Sequence, residues 1–391
     1  MEGTRTRIGT AVAALTLVAG AGTAHADSFE VTKKAADGQG SFAAAVKKAN
    51  KKQGGDQIRF AKSLRGKIDL PEEVVTLTGK VVIEGNGYGD PDNNRFGRLV
   101  LSGHRGGSEL AVDRESKAAL RGLYLDGVSL AASRSDLTVQ DSFVDGERTV
   151  DETGISGGDL RVLGTIVQSF DRGIAIGEVG RIDESTITGN VGSGGVTVGS
   201  GANADVSNST ISGNVVSGSP GVFGGGLSTS QYSSSARVVN TTIAGNEAIG
   251  NMSRGGGLSG DVEVINSTIA NNRAASGAGI AGGPGDADVS NSIVFGNRTF
   301  GGDASDCQDP FTSSGGNVIG APGECVLDAD DVSTDPLLGP LADNGGPTET
   351  MSIGASSPAI GLAVEATASK FDQRGVRRGD DPDAGAYQRR G

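Results

Sequence analysis

Large aromatic side chains are scarce in this sequence of 391 residues. It has no tryptophan, and only 4% of its residues are aromatic, whereas glycine occurs 66 times. Such a chain cannot fill a broad globular core with rings, because aromatic side chains supply much of the buried area in those cores. It can line a narrow core with stacked valine, isoleucine and leucine.

Positive charge and long apolar runs are also lacking. The formal net charge is −13, which argues against nucleic acid and anionic surfaces as partners. Residues 1–26 look like a secretory signal, in which Arg5 and Arg7 precede an apolar stretch and Ala24-His25-Ala26 fits a cleavage pattern. No later segment approaches the length of a membrane span. We therefore predict a secreted or extracellular protein that has no membrane-spanning segment.

Histidine and cysteine are nearly absent, which narrows the chemistry available to the secreted chain. His104 is the one histidine after the predicted cleavage site, so a Ser-His-Asp triad would depend on it, and we do not favour that triad. The two cysteines, Cys307 and Cys325, have no histidine nearby that could activate a thiolate. An oxidising compartment favours a disulfide between them. We expect this disulfide to stabilise the fold by about 3 kcal/mol.

One short phrase returns through the middle of the sequence. Its copies are Glu184-Ser-Thr-Ile-Thr-Gly-Asn190, Asn208-Ser-Thr-Ile-Ser-Gly-Asn214, Asn240-Thr-Thr-Ile-Ala-Gly-Asn246, Asn266-Ser-Thr-Ile-Ala-Asn-Asn272 and Asn291-Ser-Ile-Val-Phe-Gly-Asn297. Two residues before each copy stands an aliphatic side chain, at Ile182, Val206, Val238, Val264 and Val289, in steps of 24, 32, 26 and 25 residues. A period in the twenties, built from β-forming residues with glycine and asparagine between them, is typical of a solenoid.

The spacing within one repeat predicts which solenoid forms. Val206 and Ile211 are an odd number of positions apart, so on one straight strand they would face opposite ways. Both can enter one core only if the chain bends between them, and Asn208 at that point tolerates a left-handed backbone. A phrase of glycine and an aliphatic residue supplies a further strand per turn, at Gly195-Val196, Gly226-Leu227, Gly257-Leu258 and Gly279-Ile280. We predict an all-β chain whose short strands coil into a parallel β-helix.

Stacked coils would bring equivalent asparagines above one another, about 4.8 Å apart, in a hydrogen-bonded side-chain ladder. We predict this structural ladder at Asn208, Asn240, Asn266 and Asn291. N-glycosylation is the alternative, because three of these asparagines begin an Asn-x-Ser/Thr phrase. We favour the ladder, since the secretory signal looks bacterial.

The chain after the signal begins with a different kind of segment. We assign residues 27–80 to an N-terminal cap and the first strands, with Ser41 as the cap of a short helix. The helix carries an apolar stripe of Phe42, Ala45, Val46 and Ala49. Four lysines between residues 47 and 52 suit its C-terminal end, and Gly54-Gly55 ends it. A basic helix can bind a membrane surface, but we favour a cap, because the open end of a solenoid exposes unpaired strands.

The remaining chain is expected to divide at residue 300. Residues 81–300 would form the coils, and residues 301–391 the C-terminal coils and a cap that contains the disulfide. This last part has the densest acidic zone, at Asp303, Asp306, Asp309, Asp328, Asp330, Asp331 and Asp335. Calcium would suit such oxygen-rich loops. The spacing matches no calcium-binding repeat, however, so we favour a solvated acidic loop and expect no cofactor.

Several phrases resemble those of known bacterial families. The Gly-Gly-aliphatic and Ile-x-x-Asn phrases of the coils are similar to the repeats of polymorphic outer membrane proteins. The segment from Gly38 to Asn50 and the phrase Asp56-Gln-Ile-Arg-Phe60 resemble proteins with a CSLREA-type N-terminus. The phrases that resemble the choice-of-anchor Q region are Asp335-Pro-Leu-Leu-Gly-Pro-Leu-Ala-Asp-Asn-Gly-Gly-Pro347, Ser357-Pro-Ala-Ile360, Asp372-Gln-Arg-Gly375 and Asp383-Ala-Gly-Ala-Tyr387. The resemblance implies a single-stranded, right-handed parallel β-helix of the pectin-lyase-like kind, secreted or surface-associated.

Two classes of function fit such a fold. The first is a non-catalytic extracellular or cell-surface protein, adhesin-like or binding matrix and glycans. The second is a polysaccharide lyase or glycoside hydrolase, since pectin-lyase-like enzymes share this architecture. Sugar hydrolysis needs two carboxylates about 5–9.5 Å apart, and stacked coils can bring carboxylates together from different coils. The chain has no Arg-Ile-Lys or Gly-His-Gly phrase of the polygalacturonase type. We therefore favour the non-catalytic function, with a glycan or cell-surface protein as partner, and assign neither catalytic residues nor an oligomeric state.

The longest repeat step, 32 residues, predicts where a partner would bind. It contains an insertion at residues 217–235, and insertions in solenoids leave the core as loops on a face that often binds partners. The next coil adds Asn251-Met-Ser-Arg254, so we expect the two loops to lie side by side. Phe223 of the insertion either joins this surface or packs into the core. The predicted contact patch consists of Tyr232, Met252 and Arg254.

Overall fold

The structure of the protein is a computed structural model. It describes residues 26–51, 54–87, 99–104, 108–147, 152–218, 221–230, 233–308, 311–321 and 325–390, except for the side chains of 284–286. The predicted secretory signal, apart from Ala26, lies outside the described residues, and so does Tyr232 of the predicted patch. Within the described ranges, no helix is long and apolar enough to cross a membrane.

The described chain consists of short strands and a single helix, α1 (Phe42–Ala49). The first strands are β1 (Ser28–Val31), β2 (Gly55–Phe60), β3 (Gly66–Asp69), β4 (Val75–Leu77), β5 (Lys80–Glu84), β6 (Leu99–Ser102), β7 (Ser108–Val112), β8 (Lys117–Arg121) and β9 (Tyr124–Asp126). The next are β10 (Val128–Gln140), β11 (Phe143–Asp145), β12 (Thr153–Leu163), β13 (Ile166–Gln168), β14 (Arg172–Asp183), β15 (Thr186–Thr188), β16 (Val191–Gly192), β17 (Gly194–Val198), β18 (Asn203–Ser207), β19 (Thr210–Ser212) and β20 (Val215–Ser217).

The remaining strands lead from the insertion to the C-terminus. They are β21 (Leu227–Thr229), β22 (Ser235–Val239), β23 (Thr242–Ala244), β24 (Glu247–Ile249), β25 (Leu258–Ile265), β26 (Thr268–Ala270), β27 (Arg273–Ala274), β28 (Ile280–Ser290), β29 (Ile293–Phe295), β30 (Arg298–Thr299), β31 (Cys307–Gln308), β32 (Phe311–Ser313), β33 (Val318–Ile319), β34 (Leu338–Ala342) and β35 (Thr350–Ile353).

The described coils form three parallel sheets, of which the third is confined to the coils between Val191 and Thr299. Sheet A has 17 strands, sheet B has 11, in the order β3-β6-β9-β11-β13-β15-β19-β23-β26-β29-β33, and sheet C has five, from β16 to β30. One coil shows the plan: it passes through β17 and β18 in sheet A, turns at Asn208, runs through β19 in sheet B, turns at Gly213 and returns through β20 in sheet C. The predicted parallel β-helix is confirmed.

Stacking puts equivalent aliphatic side chains directly above one another. Val206 pairs with Val238 and Ile211 pairs with Ile243, and all four are buried. Both positions therefore enter the core, as the odd spacing predicts. The position of Val206 in sheet A recurs in register from coil to coil. It is occupied in turn by Phe29, Ile58, Ile83, Leu120, Val139, Val162, Ile182, Val206, Val238, Val264 and Val289.

The corner between sheets A and B requires a left-handed residue. Asn208, Asn240, Asn266 and Asn291 have φ angles of 49°, 48°, 45° and 53°, which confirms the predicted bend. Their side chains do not form the continuous ladder that we predict: Asn240 Nδ2 reaches Asn208 Oδ1 only across 3.5 Å, and Asn291 Nδ2 bonds to Thr367 instead. Other coils have φ of 47° to 72° at this corner, at Gly122, Asp141, Gly164, Glu184 and Gly316. The corner therefore depends on backbone conformation.

The continuous asparagine ladder lies at the next corner, between sheets B and C. Its members are Asn190, Asn214, Asn246, Asn272 and Asn297, all fully buried. Each Nδ2 donates to the Oδ1 of the following member across 2.9–3.0 Å, and the same Oδ1 accepts a backbone N–H. Asp306 ends the ladder, because its Oδ1 accepts from Asn297 Nδ2 across 2.7 Å.

Helix α1 covers the N-terminal end of the stack. Ser41 caps it as predicted, with its Oγ accepting the Ala44 N–H across 3.1 Å, and the apolar stripe is buried. The helix ends at Ala49 rather than at Gly54-Gly55, because the next residue, Asn50, binds the first coil. The Asn50 side chain accepts the Thr78 N–H across 3.0 Å. Of the predicted lysine cluster, Lys47 and Lys48 lie in the last turn.

The C-terminal end of the stack is closed by the disulfide between Cys307 and Cys325, with the two Cα atoms 6.2 Å apart. The predicted pairing is present in the structure. Cys307 pairs with Ile280 in sheet A, so it takes the place of the next aliphatic residue of the core. Both cysteines are buried.

After the last coil the chain runs back along the outside of the stack. We call residues 338–390 the strap; it begins with the antiparallel hairpin β34–β35. The strap binds the asparagines for which we predict mutual bonds: Ser369 N donates to Asn266 Oδ1 across 2.7 Å, and Arg378 Nη2 donates to Asn240 Oδ1 across 3.2 Å. The first-corner side chains therefore hold the strap to the coils.

The strap is itself held together by two buried arginines. Arg374 bonds to Asp372 across 2.7 Å and lies over the ring of Tyr387, 3.6 Å from its centroid. Arg378 donates to the carbonyl oxygens of Asp383 and Gly385 across 2.8 and 2.7 Å. Burial lowers the pKa of Arg378 to about 10, which leaves it charged at neutral pH. Residues of the C-terminal phrases 372–375 and 383–387 therefore make structural contacts within the strap.

Candidate functional site

The outer face of sheet B consists of two different halves. In its three-residue strands the middle side chain points into the core, and the two flanking side chains point outward. From β19 to β26 the strap covers this face, and the outward residues are small and buried: Thr210, Ser212, Thr242, Ala244, Thr268 and Ala270. We call this the covered half. From β3 to β15 the outward residues are larger and mostly exposed or half-buried, and we call this the open half.

The open half carries a compact group of polar side chains. We call it the open-face array, and its members are Lys67, Tyr124, Asp126, Asp145 and Gln168. The parallel register stacks Asp126, Asp145 and Gln168 on consecutive strands. Lys67 Nζ donates to Asp126 Oδ2 across 2.7 Å, and Gln168 Nε2 donates to Asp145 Oδ2 across 3.0 Å. These two hydrogen bonds join β3 to β9 and β11 to β13.

A further carboxylate, Glu147, lies beside the array. It has a φ of 49°, and its N–H donates to Asp145 Oδ1 across 3.1 Å. A hydrogen bond to Asp126 and the negative charge of that residue raise the pKa of Glu147. Glu147 therefore keeps a proton to higher pH than an ordinary glutamate, next to a carboxylate that is paired with Lys67.

The other two titratable members of the array also respond to Asp126. The pKa of Lys67 is raised, chiefly by its hydrogen bond to Asp126, so Lys67 stays a cation. Burial raises the pKa of Tyr124, and the charge of Asp126 acts in the same direction, so the phenol stays neutral. The Tyr124 ring packs edge-on against Phe143, with the centroids 4.9 Å apart. The array offers a cation, a phenol, carboxylates and an amide on one surface.

The predicted contact patch lies elsewhere on the molecule. Met252 is 61% exposed and Arg254 is exposed, on the loop between β24 and β25. Arg254 pairs with Phe223 of the insertion, so the described parts of the two loops lie side by side. Phe223 is 40% exposed and does not pack into the core. Because Tyr232 is outside the described residues, the patch of Tyr232, Met252 and Arg254 stays a prediction.

The other candidate residues from the sequence, His104 and the acidic zone, make contacts within the fold. His104 Nε2 lies 2.6 Å from the carbonyl oxygen of Leu70. Asp306 is the buried end of the asparagine ladder, and Asp331 accepts the N–H groups of Asn317 and Asp328. Within the described ranges, no group of three or more histidine, cysteine, aspartate or glutamate side chains is placed to hold a metal ion. Of the three glycosylation candidates, Asn240 and Asn266 are buried in the folded protein, whereas Asn208 is half-buried.

The sequence contains a signal for the open-face array that the repeat analysis does not use. The strands of sheet B read polar or aromatic residue, aliphatic residue, aspartate in three coils: Lys67-Ile-Asp69, Tyr124-Leu-Asp126 and Phe143-Val-Asp145. In later coils this position is occupied by Gln168, Thr188, Ser212, Ala244, Ala270 and Phe295, none of which is acidic. The recurrence of aspartate after the core residue would place these carboxylates on one outer face.

Comparison with known proteins bears on the fold. A family model described as a right-handed beta helix region matches residues 155–318. The fold is a right-handed parallel β-helix. Among solved structures, the chain is similar to pectate lyase Pel9A, with 13% identity, a TM-score of 0.47, and 94% of this chain and 98% of that chain covered. It is also similar to the PL6 family alginate lyase AlyGC, with 11% identity, a TM-score of 0.26, and 91% and 57% covered.

A search of curated proteins finds no match to this sequence. The two lyases are too distant from this β-helix for their activities to bear on its function. The resemblance of the C-terminal phrases to the choice-of-anchor Q region, and of the N-terminal segment to CSLREA-type proteins, stays a prediction.

Proposed function

We propose that this right-handed β-helix is a secreted, cell-surface-associated protein that binds glycans without cleaving them. The binding surface is the open half of sheet B. The observation that carries this proposal is the open-face array, whose charged and neutral hydrogen-bonding groups stand on one flat surface of rigid strands. Sugar hydroxyls need such donors and acceptors at fixed positions, and side chains on strands are held more firmly than side chains on loops.

The chemistry of Lys67 supports binding over cleavage. A lysine that acts as a general base must lose its proton near neutral pH. The pairing of Lys67 with Asp126 raises its pKa instead, so the side chain can donate hydrogen bonds but cannot accept a proton. His104 likewise has its Nε2 engaged with the Leu70 carbonyl oxygen.

Glu147 and Asp126 support a second candidate, a glycoside hydrolase. Hydrolysis of a glycosidic bond needs one carboxyl group that holds a proton and one that is ionised. Glu147, whose pKa is raised, would be the carboxyl group that holds a proton, and Asp126, which is paired with Lys67, would be the ionised one. We place this candidate second for two reasons. The hydrogen bond between Glu147 and Asp126 brings the two carboxyl groups closer together than the separation of about 5–9.5 Å that sugar hydrolysis needs. Glu147 is also exposed, and an exposed carboxyl group is a weaker acid–base catalyst than one in a water-excluded pocket.

The purified secreted chain should be tested for binding on a glycan array and for depolymerisation of the same polysaccharides. We expect binding without cleavage. Lys67→Gln and Asp145→Asn should each weaken binding by at least about tenfold, the effect of one charged hydrogen bond. The matched control is Asp205→Asn, an exposed carboxylate on the outer side of β18 in sheet A, which should bind as the parent does.

Two results would decide against this proposal. Loss of polymer length that disappears in Glu147→Gln would establish the hydrolase instead. Binding that Lys67→Gln, Asp145→Asn and Asp205→Asn all leave unchanged would place the partner on a different surface.

A further inference from the structure

The turn of the strap hairpin stands at the boundary between the open and covered halves of sheet B. Thr348 Oγ1 donates to the carbonyl oxygen of Asn208 across 3.0 Å, and Thr210 Oγ1 donates to the carbonyl oxygen of Glu349 across 2.6 Å. Both contacts are on the coil of β19, directly after β15, the last strand of the open half. The turn is therefore the first part of the strap that a molecule lying along the open half would meet.

The turn is held in place by buried side chains. Gln373 Nε2 donates to Thr348 Oγ1 across 2.8 Å and to the carbonyl oxygen of Glu349 across 2.9 Å. Arg374 Nη1 donates to the carbonyl oxygen of Asn344 across 3.2 Å, and Asn344 Nδ2 crosses the hairpin to the Thr350 carbonyl oxygen across 2.8 Å. These bonds make the turn a fixed step on the surface.

We infer that residues 343–349 form an end wall, so that the protein binds the end of a glycan chain rather than its interior. This inference rests on the proposed function. The open half runs from β3 to β15, six strands at about 4.8 Å per step, or about 24 Å. A linear chain that lies across these strands and occupies the open-face array reaches the wall and has to end there.

The negative charge of the end wall selects which class of glycan can bind against it. Asp343 and Glu349 are exposed at the turn, which stands at the end of the surface that carries Asp126 and Asp145. Lys67 is the cation of the array, and Asp126 already neutralises it. Like charges across an interface reject a ligand, so this surface disfavours polyuronates. The chain end that fits it carries amino groups, as in a polymer of glucosamine.

The test uses glucosamine oligomers, from dimer to octamer, with a bulky fluorophore on either the reducing or the non-reducing end. Fluorescence polarisation with the purified secreted chain would measure the affinity of each form. A wall predicts that one of the two labelled forms binds at least about tenfold more weakly, because its bulky end cannot sit against the turn. Equal affinities of the two forms would overturn the inference and leave the proposed function standing.

A matched pair of variants tests the charge of the wall. Asp343→Asn/Glu349→Gln should weaken binding of the glucosamine oligomers and leave binding of their N-acetylated forms unchanged. The control, Asp380→Asn/Asp381→Asn, removes the same charge from exposed positions elsewhere on the strap and should bind as the parent does. Equal losses in the two double variants would mean that net charge, not the wall, sets the affinity. If no glucosamine oligomer binds, the inference fails, and the glycan array described above tests the proposed function separately.

Discussion

Asparagine occurs at two corners of each central coil for two different physical reasons. At the first corner, Asn208 has a left-handed backbone, and its place is taken in other coils by glycine, aspartate or glutamate. At the second corner, Asn246 is fully buried, and its side chain binds the coils on both sides. The first position needs a backbone conformation, whereas the second needs an amide.

Substitutions at the two corners should therefore differ in cost. Asn246→Ala leaves the Asn214 N–H without its acceptor and removes one of the two acceptors of Asn214 Nδ2, which keeps its bond to the Ile187 carbonyl oxygen. We expect this substitution to lower the free energy of unfolding by about 3 kcal/mol or more. Asn208→Gly keeps the left-handed conformation and gives up a half-buried bond to Asp183, so we expect a loss of about 1 kcal/mol. Chemical denaturation of the two variants would measure both values. Equal losses would contradict the distinction between the corners.

Asp306 ends the second-corner ladder, and each of its two carboxylate oxygens accepts a hydrogen bond. Oδ1 accepts from Asn297, and Oδ2 accepts the Ala321 N–H across 2.8 Å. Burial raises the pKa of Asp306, although these N–H groups act in the opposite direction. A carboxyl group whose pKa is raised on folding stabilises the fold below its unfolded pKa, about 3.9, and loses that contribution as the pH rises through the folded value.

Unfolding should therefore show a pH dependence that Asp306 controls. We expect the difference in unfolding free energy between the parent and Asp306→Ala to be largest near pH 3 and to decrease toward pH 7. The measurement is denaturation of both proteins across that range. A difference that grows with pH would show that the hydrogen bonds outweigh the burial of the charge.

The residues whose positions in the fold can be predicted from the sequence are those that recur in each coil. Val206 and Ile211 recur with a fixed spacing, so their burial and the bend between them follow from one coil. The position of the asparagine ladder does not follow, because both corners carry asparagine in nearly every copy of the phrase. Only the contacts between coils distinguish a residue kept for its φ angle from one kept for its amide.

At the scale of whole elements, the strap buries part of the outer face of sheet B, which the repeat alone would leave exposed to solvent. Thr242 and Thr268 read as solvent-facing positions in the repeat, yet both are buried and bond to strap groups, at Gln373 and Ala386. The small outward residues of the covered half leave room for a second layer. The strap thus extends the core outward and adds a layer that the repeat itself does not contain.

The stability of the strap should depend on Arg378, which bonds to Asp383 and Gly385 in the strap and to Asn240 in the coils. Arg378→Met removes three donors from buried oxygen atoms, so we expect a loss of about 3 kcal/mol or more and faster proteolysis within residues 338–390. The control is Arg377→Met, since Arg377 is exposed and its loss should leave both measurements unchanged. Equal proteolysis of the two variants would contradict the role of Arg378.

Neither the strap nor the open-face array follows from the sequence in the way that the coils do. Arg378 and Asn240 are 138 residues apart, and Lys67 and Asp126 are 59 apart, so no local spacing connects them. The first coils also depart from the regular period, which hides the recurring aspartate. Long-range pairs of this kind appear only once the register of the coils is known.

The whole molecule is a stack of coils with an end closed by α1 and an end closed by the disulfide. Its outer surface has two candidate binding regions: the open half of sheet B, and the loops with Phe223, Met252 and Arg254. Each region carries an exposed or half-buried side chain that hydroxyl radicals modify, Tyr124 in the first and Met252 in the second. The two regions can therefore be compared in one experiment.

Radical footprinting with mass spectrometry tests the location of binding most directly. The purified protein would be exposed to hydroxyl radicals with and without a saturating glucosamine hexamer, and the oxidation of Tyr124 and Met252 would be compared. Binding on the open half predicts that the oligomer protects Tyr124 and leaves the oxidation of Met252 unchanged. Protection of Met252 with no change at Tyr124 would contradict this account and place the partner on the insertion loops.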